Sequence, residues 1–457
     1  MQSRKGEKHG SFFLVLGVFA PSRLGVENLI EESKLNSPSQ PIKSVVMLGA
    51  GPAASTVATH LARAGVRVAM LHRPRPAALF VGESLVPAIV LILRRLGIED
   101  EVRAYGKYKP GAIFNMTEFG DYPFTFSDFA GAMPHYAYNV PRIKFDATLL
   151  ETAKRAGAKV FEVEARVERV PGTDRVRLST ETRAVLGDYF DGEPDLIVDA
   201  TGRARVLPKL LELPSREGGR KDTALFAHLD RAEVFRDKLS RDGYVHSSRL
   251  DHGWSWRIPL PDRVSLGIVI GAEHPPKHGA TPEERYDNLL KQDSVLRLAT
   301  AGSKRLTPVM EYTNYQLVSE RLFGDGWVLL GDTAGFIDPV FSSGLLIGLT
   351  SAESLAETIQ DGSTAAFQRY EQSVIHHLKT WHEIVNYFYD GRMFTSFRVG
   401  QMMRSNLLIK LVNPHINKHM GRIFTGLAGR SPYSMGLMRF LMKYGLKDQD
   451  PGQMAIR

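Results

Sequence analysis

The sequence predicts an α/β fold: a Rossmann-like domain that carries an inserted mixed β-sheet domain and ends in a C-terminal helical region. Three observations lead to this fold. A buried strand, a small-residue turn and a helix open the folded part at residues 44–63. Short alternating strands with turns, typical of a mixed sheet, occupy residues 113–140 and 215–320. Apolar helical patterns fill residues 366–457, so we place the core at 41–365.

The composition excludes several classes of protein. Hydrophobic residues make up 43% of the 457 positions, as expected for a globular protein. Cysteine is absent, which excludes disulfides, a thiolate nucleophile and cysteine metal ligands, and no metal site is predicted. No apolar run of about 18 residues occurs, so we expect no membrane-spanning helix and predict a cytoplasmic protein.

The positive charge is concentrated near the C-terminus. The net charge is +8, and residues 391–457 contain eleven Lys and Arg against two Asp, so the rest of the chain is close to neutral. The same segment carries eight of the 14 methionines. Two interpretations explain this charge equally well: a solvated helical face, or a surface that attracts an acidic partner.

Residues 1–40 are predicted to be a disordered extension. Basic residues precede a short apolar run, Ser11 to Ala20, which superficially resembles a secretory signal. The run is short, and Pro21 and the charged residues after it provide no clear cleavage site. The other explanation of the extension is a start codon read upstream of the true one.

The first turn has the residues of a dinucleotide-binding turn. Gly49, Gly51 and Ala54 form a G-x-G-x-x-A pattern between the strand 44–48 and the helix 55–63. Gly49 permits the tight turn, Gly51 lets the backbone approach a pyrophosphate, and Ala54 allows close helix–strand packing. The alternative interpretation is a tight turn that binds no ligand.

One position departs from this pattern. An acidic residue usually ends the second strand and binds the ribose hydroxyls, but this chain has His72 there, followed by Arg73. We keep His72 as a candidate for the cofactor site. Arg73 would suit the 2′-phosphate of NADP, but the other motifs favour FAD.

A segment in the C-terminal third forms a candidate anion site. The strand 327–330 ends in Gly331-Asp332, and a loop then leads to Ser342-Ser343-Gly344, which opens a helical pattern at 345–359. Backbone N–H groups at a helix N-terminus bind anions, because they lack intrahelical acceptors and lie at the positive end of the helix dipole.

The order of four motifs resembles that in flavoprotein monooxygenases over about residues 42–360. These motifs are Gly49-x-Gly51-x-x-Ala54, Gly82-Glu83-Ser84, Asp199-Ala200-Thr201-Gly202 and Gly331-Asp332 with Asp338-Pro339. Two further signatures resemble those of flavin-dependent halogenases: Trp254-x-Trp256-x-Ile258-Pro259 and Phe336-x-x-Pro339-x-x-Ser342-x-Gly344. The resemblance implies a Rossmann-like FAD-binding domain and a halogenase of the tryptophan-halogenase-like superfamily.

The resemblance also implies a reaction. In such halogenases a separate flavin reductase supplies free reduced FAD, which reacts with O2. Chloride or bromide is oxidised to hypohalous acid, which reaches a lysine beside an electron-rich substrate. Lys109 resembles that lysine, because it follows the Gly82-Glu83-Ser84 motif and precedes Gly111-Ala112-x-Phe114; Lys107 is the competing candidate. Apolar surroundings would lower the pKa of this lysine.

Further site roles follow from the resemblance. The halide is expected at the backbone N–H groups of Ser343 and Gly344. Cofactor contacts are expected from Ser84, Arg142, Gly202 and Asp332.

The double-tryptophan motif has two interpretations. Trp254 and Trp256 lie on one face of a strand, because side chains alternate with a period of two. They either pack in the core or, as the resemblance implies, form with Ile258 and Pro259 a wall between flavin and substrate.

A departure from the tryptophan halogenases bears on the substrate. Those enzymes have a glutamate directly before the loop serine, and this chain has Phe341. The difference resembles the branch that acts on phenols and pyrroles, whose rings are activated by their own heteroatom. Ser342 stays as a candidate catalytic residue that hydrogen-bonds the substrate.

Several partners and activities stay open. The substrate is either a small free aromatic or one tethered to an acyl carrier, and the basic, methionine-rich region would also suit weak contact with anionic lipid. Nucleic acid is not predicted, since no recognition motif accompanies the charge. The alternatives to a halogenase are an FAD-dependent aromatic hydroxylase, a flavin reductase of prenyl chains and a non-enzymatic flavin-binding protein at a membrane surface.

Overall fold

A computed structural model describes residues 41–73, 80–116, 120–128, 133–230, 243–250, 252–402, 407–446 and 449–456. The predicted N-terminal extension, residues 1–40, lies outside the described residues. Across the described part of the chain, no helix is both long and apolar enough to cross a membrane.

Strands and helices alternate in the first half of the chain, and helices follow one another in the last quarter. In chain order the strands are β1 (Ser44–Leu48), β2 (Arg67–Leu71), β3 (Lys107–Lys109), β4 (Gly111–Asn115), β5 (Asp121–Thr125), β6 (Ala137–Asn139), β7 (Lys159–Phe161), β8 (Val167–Arg169), β9 (Val176–Leu178), β10 (Leu196–Asp199), β11 (Ser215–Leu229), β12 (Val245–Leu250), β13 (Gly253–Pro259), β14 (Val264–Gly271), β15 (Met310–Ser319), β16 (Phe323–Gly324), β17 (Trp327–Leu329) and β18 (Gly335–Phe336). The α-helices are Pro52–Arg63, Pro87–Leu96, Glu99–Tyr105, Arg142–Ala156, Thr180–Leu186, Val206–Leu210, Pro282–Gln292, Ser294–Ala299, Ser343–Asp361, Thr364–Tyr389, Arg392–Met402, Leu407–Arg422 and Pro432–Tyr444.

The first sheet is mostly parallel and brings three motifs together. Within the described residues its strand order is β16-β17-β10-β1-β2-β7, and only β16 and β17 pair antiparallel. All five residues of β1 are buried, as expected when both faces of a parallel sheet are covered. β17, β10 and β1 are neighbours, so the turns after them meet at the carboxyl edge of the sheet, where α/β folds bind ligands.

The second sheet is mixed. In the part of the chain that the structure describes, its order is β18-β15-β11-β14-β13-β12-β4-β5, with β12 and β4 parallel and the other pairs antiparallel. β13, which carries the double-tryptophan motif, lies between β14 and β12 and is buried along its whole length. The predicted α/β fold, with a Rossmann-like sheet, an inserted mixed sheet and C-terminal helices, is confirmed.

Two details of the predicted mixed sheet are wrong. The segment 113–140 does not join it completely, because β6 pairs with β3 and, on its other edge, hydrogen-bonds to residues 83–85. The segment 215–320 is not all strand, because it contains the helices Pro282–Gln292 and Ser294–Ala299. The first of these has a capping box formed by Thr281 and Glu284, a signal that the sequence carried.

The C-terminal helices pack on the core. The residues that the structure describes, from 41 onward, belong to one compact unit. One hydrophobic core includes residues of both sheets and of the helix Thr364–Tyr389, such as Val198, Trp254 and Phe388. The domain bounds at 41–365 and 366–457 therefore stay a prediction.

Trp256 depends on a glycine in the neighbouring strand. Gly267 of β14 stands opposite Trp256 of β13. A Cβ at position 267 would lie 2.1 Å from the indole ring of Trp256. The ring therefore occupies the space that any other residue at position 267 would need.

We expect Gly267→Ala to destabilise the protein by about 1–3 kcal/mol, because a methyl group there overlaps the Trp256 ring. The matched control is Gly219→Ala on β11, where an added Cβ meets no atom within 4 Å. Urea unfolding followed by tryptophan fluorescence measures both variants. Equal unfolding midpoints for the two variants would contradict this account of the packing.

Candidate active site

The first dinucleotide-type turn is shaped for a ligand. Gly49 has a φ of +109°, and a Cβ there would lie 2.7 Å from the carbonyl oxygen of Ala200, so only glycine fits. Gly51 precedes the helix Pro52–Arg63, and a Cβ on it would meet no atom within 4 Å. The helix N-terminus therefore faces open space, which suits a pyrophosphate.

A cleft joins this turn to the other motifs. Half of the site residues predicted from the sequence are on its walls, namely Gly51, Ala54, Ser84, Arg142, Gly202, Asp332, Ser342 and Gly344. Gly49 does not line the cleft, but it allows the turn to pack closely against Ala200. His72 is not among the residues that line the cleft; its backbone N–H donates to the carbonyl oxygen of Phe161 at 2.9 Å, and burial lowers the pKa of its ring.

Three glycines leave room for the cofactor. A Cβ on Gly51, Gly202 or Gly344 would meet no atom within 4 Å, and all three face the cleft. The three glycines line one cleft, and the N-terminus of the helix Pro52–Arg63 also faces it. Such a cleft fits the FAD that the sequence motifs imply.

Arg142 and Asp332 are two of the charged side chains that line the cleft. The Arg142 guanidinium forms a bidentate pair with Asp146 at 2.8 and 3.0 Å and donates to the carbonyl oxygen of Val81 at 2.5 Å. Burial opposes its charge, but the carboxylates of Asp146, Glu83 and Asp332 outweigh burial and raise the pKa of Arg142 above its usual value. Burial raises the pKa of Asp332, and Arg142 opposes this rise.

Lys109 is buried and hydrogen-bonded beside the cleft. Its side chain is 4% exposed, and its Nζ donates to the Oγ of Ser84 at 2.7 Å and to the carbonyl oxygen of Leu85 at 2.8 Å. The ring of Phe126 lies 5.4 Å from Nζ. Burial lowers the pKa of Lys109 to about 7, so a large share of the amine is neutral at neutral pH.

The local strands explain how Lys109 reaches Ser84. β3 pairs with β6, and Ala137 stands opposite Lys109 in the register. The other edge of β6 hydrogen-bonds to the turn 83–85, because Leu85 N–H donates to Tyr138 and Val140 N–H donates to Glu83. The small side chain of Ala137 leaves space for the lysine to extend across β6. Lys107, the competing lysine, stands opposite Asn139 and is only partly buried.

A buried contact that sequence reasoning missed holds the same turn. Glu83 is buried, and its two carboxylate oxygens lie 3.0 and 3.1 Å from Nε2 of His228, which is also buried. His228 belongs to β11 of the mixed sheet. Glu83 and His228 are 145 positions apart, so no local pattern could have connected them. The turn 81–85 is thereby fixed to the second sheet.

The candidate halide site has an unusual backbone. Ser342 precedes the helix Ser343–Asp361 with φ +56° and ψ +27°, a left-handed conformation that costs a non-glycine residue about 1 kcal/mol or more. Strain of this kind is concentrated at functional sites. The N–H groups of Ser343 and Gly344 lie in the first helical turn, where the helix provides no acceptor. The Ser343 hydroxyl donates to the carbonyl oxygen of Asp338 at 3.1 Å.

The double-tryptophan strand is buried behind the cleft. Trp254 and Trp256 are 2% and 5% exposed, and their ring centroids are 5.7 Å apart. The Trp254 indole N–H donates to the hydroxyl of Tyr389 at 3.0 Å, and that of Trp256 donates to Ser265 at 3.3 Å. Neither ring lines the cleft. Ile258 and Pro259 complete the buried strand.

Phe341 lies in an aromatic cluster. Its ring centroid is 5.5 Å from that of Phe388, 5.8 Å from Phe424, and 6.3 Å from both Phe114 and Trp381. A carboxylate at this position would lose its hydration with no charged partner among these rings. The surroundings therefore agree with an apolar residue at position 341.

The lowered pKa of Lys109 predicts how the unfolding free energy changes with pH. The folded amine releases its proton near pH 7, whereas the unfolded amine keeps it up to about 10.5. Between these values the unfolded state binds more protons, so the unfolding free energy rises with pH by up to about 1.4 kcal/mol per unit. Relative to Lys109→Met, which lacks the amine, wild-type protein should gain stability from pH 7 to 9.

Urea unfolding at pH 6, 7, 8 and 9 measures this difference. The control is Lys107→Met, which removes the partly buried lysine of the same strand. A wild-type-minus-Lys109→Met difference that stays flat from pH 7 to 9 would show that the amine is not held neutral by the fold.

Comparisons with known proteins identify the family. A sequence model of the family described as tryptophan halogenase matches residues 44–133 and 127–397. The 1H-pyrrole-2-carbonyl-[peptidyl-carrier protein] chlorinase of Pseudomonas fluorescens is 30% identical over 397 residues, which cover 80% of this chain and 87% of that protein. The tryptophan 2-halogenase of Chondromyces crocatus is 29% identical over 386 residues, 79% of this chain and 70% of that protein.

A solved structure has the same fold. The crystal structure of halogenase PltM in complex with phloroglucinol and FAD matches with a TM-score of 0.67 at 20% identity, over 88% of this chain and 91% of that chain. The family match contains both halogenase signatures, at 254–259 and 336–344. The chain belongs to the tryptophan halogenase family and is a flavin-dependent halogenase.

Proposed function

We propose that this halogenase uses reduced FAD, O2 and chloride or bromide to halogenate an electron-rich phenol or pyrrole-like ring, with Lys109 as the catalytic lysine. The observation that carries this proposal is the position of Lys109. Its Nζ is buried and held by Ser84 Oγ and Leu85 O, in a turn whose residues Gly82 and Ser84 also line the cleft.

The cofactor contacts are proposed from the cleft walls. Gly51 and the start of the helix Pro52–Arg63 would hold the pyrophosphate, and Gly202 leaves space along its path. Arg142 and Asp332 would hold polar groups of the ribityl and flavin end. When bound, reduced FAD would donate electrons to O2 and so activate it to accept further electrons from the halide, with hypohalous acid and water as products. A separate flavin reductase is proposed as its source.

The halide is proposed to bind at the start of the helix Ser343–Asp361. The N–H groups of Ser343 and Gly344 and the helix dipole provide partial positive charge without a full cation. This suits chloride or bromide, because a weakly held halide keeps its nucleophilicity. The position of Gly344 in the cleft wall supports a halide site next to the space available to the cofactor.

Lys109 is proposed to receive the hypohalous acid. An ammonium group can donate a proton to the oxygen of the acid, so that water leaves as the halogen bonds to ring carbon and the ring loses its hydrogen. A neutral amine can instead bind the halogen directly. With a pKa of about 7, both forms are available at neutral pH. Ser84 and Leu85 fix the direction of Nζ through two hydrogen bonds.

The substrate class follows from Phe341. Its aromatic surroundings leave no carboxylate before Ser342 to assist a poorly activated ring. A phenol or pyrrole is activated by its own oxygen or nitrogen and needs less help. Two relatives support this choice: the Pseudomonas fluorescens chlorinase is named for a carrier-bound pyrrole, and PltM binds phloroglucinol. A carrier-tethered ring and a free one both stay in the proposal.

We expect Lys109→Ala to abolish halogenation while oxidation of reduced FAD by O2 continues, because the variant still binds cofactor but cannot capture the hypohalous acid. The assay supplies reduced FAD, bromide and a panel of phenols, pyrroles and tryptophan, and mass spectrometry measures product. A loss of at least about 100-fold in product is expected, as for removal of a general acid–base group.

The matched control for this test is Lys107→Ala. It should keep wild-type product levels, since Lys107 is the other lysine of β3. Retained product in Lys109→Ala with loss in Lys107→Ala would transfer the role to Lys107. Wild-type halogenation of tryptophan, but not of phenols or pyrroles, would refute the proposed substrate class.

The source of electrons distinguishes a halogenase that depends on supplied reduced flavin from an aromatic hydroxylase. We expect no O2 consumption above background with NADH or NADPH and oxidised FAD, and brominated product once a flavin reductase or photoreduced FAD is added. An oxygen electrode and mass spectrometry measure the two quantities. Oxidation of NADPH by the chain alone, with a hydroxylated product, would favour the hydroxylase.

A further inference from the structure

A buried network connects the two halogenase signatures through a residue that belongs to neither. The Trp254 indole N–H donates to the hydroxyl of Tyr389 at 3.0 Å, and this hydroxyl donates to Oδ2 of Asp338 at 3.0 Å. Tyr389 is the last residue of the helix Thr364–Tyr389. All three side chains are buried, with exposures of 2%, 5% and 2%.

Asp338 also shapes the loop before the candidate halide site. Its Oδ1 accepts from Val340 N–H at 2.9 Å, and its carbonyl oxygen accepts from the Ser343 hydroxyl at 3.1 Å. The same residue therefore fixes the loop that contains Pro339 and the first side chain of the helix. A movement of Asp338 would move the N–H groups of Ser343 and Gly344.

We propose that Asp338, Tyr389 and Trp254 form one unit that holds the halide-binding turn against the double-tryptophan strand, with Tyr389 acting as a positioning residue. The inference rests on the proposed halide site at Ser343 and Gly344. The proposal adds Tyr389, which lies outside both signatures, to the residues on which halide affinity depends.

The hydrogen bonds suit an ionised Asp338. Both carboxylate oxygens accept, one from Val340 N–H and one from Tyr389 O–H, and each of these bonds is stronger to a carboxylate than to a neutral carboxyl, so protonation of Asp338 weakens the network. Burial raises the pKa of Asp338 to about 7, with Asp222 adding to the rise. Burial, followed by the negative Asp338, raises the pKa of Tyr389 well above its usual value, so this hydroxyl keeps its proton.

Ionisable side chains from two elements face the Asp338 carboxyl. Tyr389 faces it from the helix Thr364–Tyr389, and Arg220 and Asp222 face it from β11. Arg220 pairs with Asp222 at 2.8 and 3.0 Å, and its guanidinium carbon lies 3.8 Å from the centre of the Tyr389 ring. A carboxylate kept charged in an apolar site costs stability, and such groups are concentrated at functional sites.

The test uses the full chain labelled with ¹⁵N-tryptophan. The protein has four tryptophans, so its indole N–H spectrum is simple, and Trp254→Phe identifies the Trp254 signal. We expect the wild-type Trp254 signal to shift with pH, with an inflection near 7, and the inflection to be absent in Asp338→Asn. A wild-type signal that does not respond between pH 6 and 8 would overturn the proposal.

A second measurement separates positioning from stability alone. Bromide is titrated into the FAD-loaded protein at pH 8 and its Kd is read from the indole signals. Tyr389→Phe removes both bonds of the hydroxyl, and we expect bromide Kd to rise about tenfold, as for the loss of a buried hydrogen bond. The matched control is Tyr387→Phe on the same helix, whose hydroxyl donates to Glu383 at 2.9 Å; its bromide Kd should equal that of wild type.

The outcomes distinguish this inference from the proposed function. If wild-type protein binds no bromide, the proposed halide site fails. If wild-type protein binds bromide and Tyr389→Phe binds it equally well, the positioning role fails and the halide site stands. If Tyr389→Phe does not fold, the wild-type pH response and its absence in Asp338→Asn still decide whether the network exists as described.

Discussion

The site depends on the burial of one amine. The Nζ of Lys109 has left water and must find hydrogen-bond acceptors inside the protein. It finds Ser84 Oγ and Leu85 O, which belong to a turn held by Arg142 at Val81 and by His228 at Glu83. The same turn forms part of the cleft wall. Two hydrogen bonds thus join the lysine to a turn that also forms part of the cleft wall, and contacts with distant residues hold that turn in place.

Two helix N-termini supply partial positive charge to the cleft, at the proposed pyrophosphate site and at the proposed halide site. The helices Pro52–Arg63 and Ser343–Asp361 both begin at its walls, and their N–H groups and dipoles supply partial positive charge. Arg142 is neutralised by Asp146 at close range. A full cation beside the halide would hold it too tightly for reaction, whereas helix ends bind it more weakly. The arrangement fits a pyrophosphate at one helix and a small, reactive anion at the other.

Local sequence patterns could indicate those parts of the cleft wall that are turns directly after strands. Gly51, Gly202 and Asp332 come after three neighbouring parallel strands, so the fold class alone brings them together. His72 also follows a strand of this sheet, yet it does not line the cleft. The Glu83–His228 and Asp338–Tyr389 contacts were not predictable. Their partners are 145 and 51 positions apart, and only the packing of the two sheets and the C-terminal helices creates them.

The end of the helix Thr364–Tyr389 packs against the loop that precedes the helix Ser343–Asp361. Two successive residues at the end of the helix Thr364–Tyr389 reach it in different ways: Phe388 packs edge-on against Phe341, and Tyr389 hydrogen-bonds Asp338. The Phe388 ring also lies edge-on to Trp254. One helix end therefore supports both the apolar surroundings of position 341 and the polar network next to the proposed halide turn. A substitution that moves Phe388 would also disturb Tyr389, because the two are successive residues at the end of the same helix.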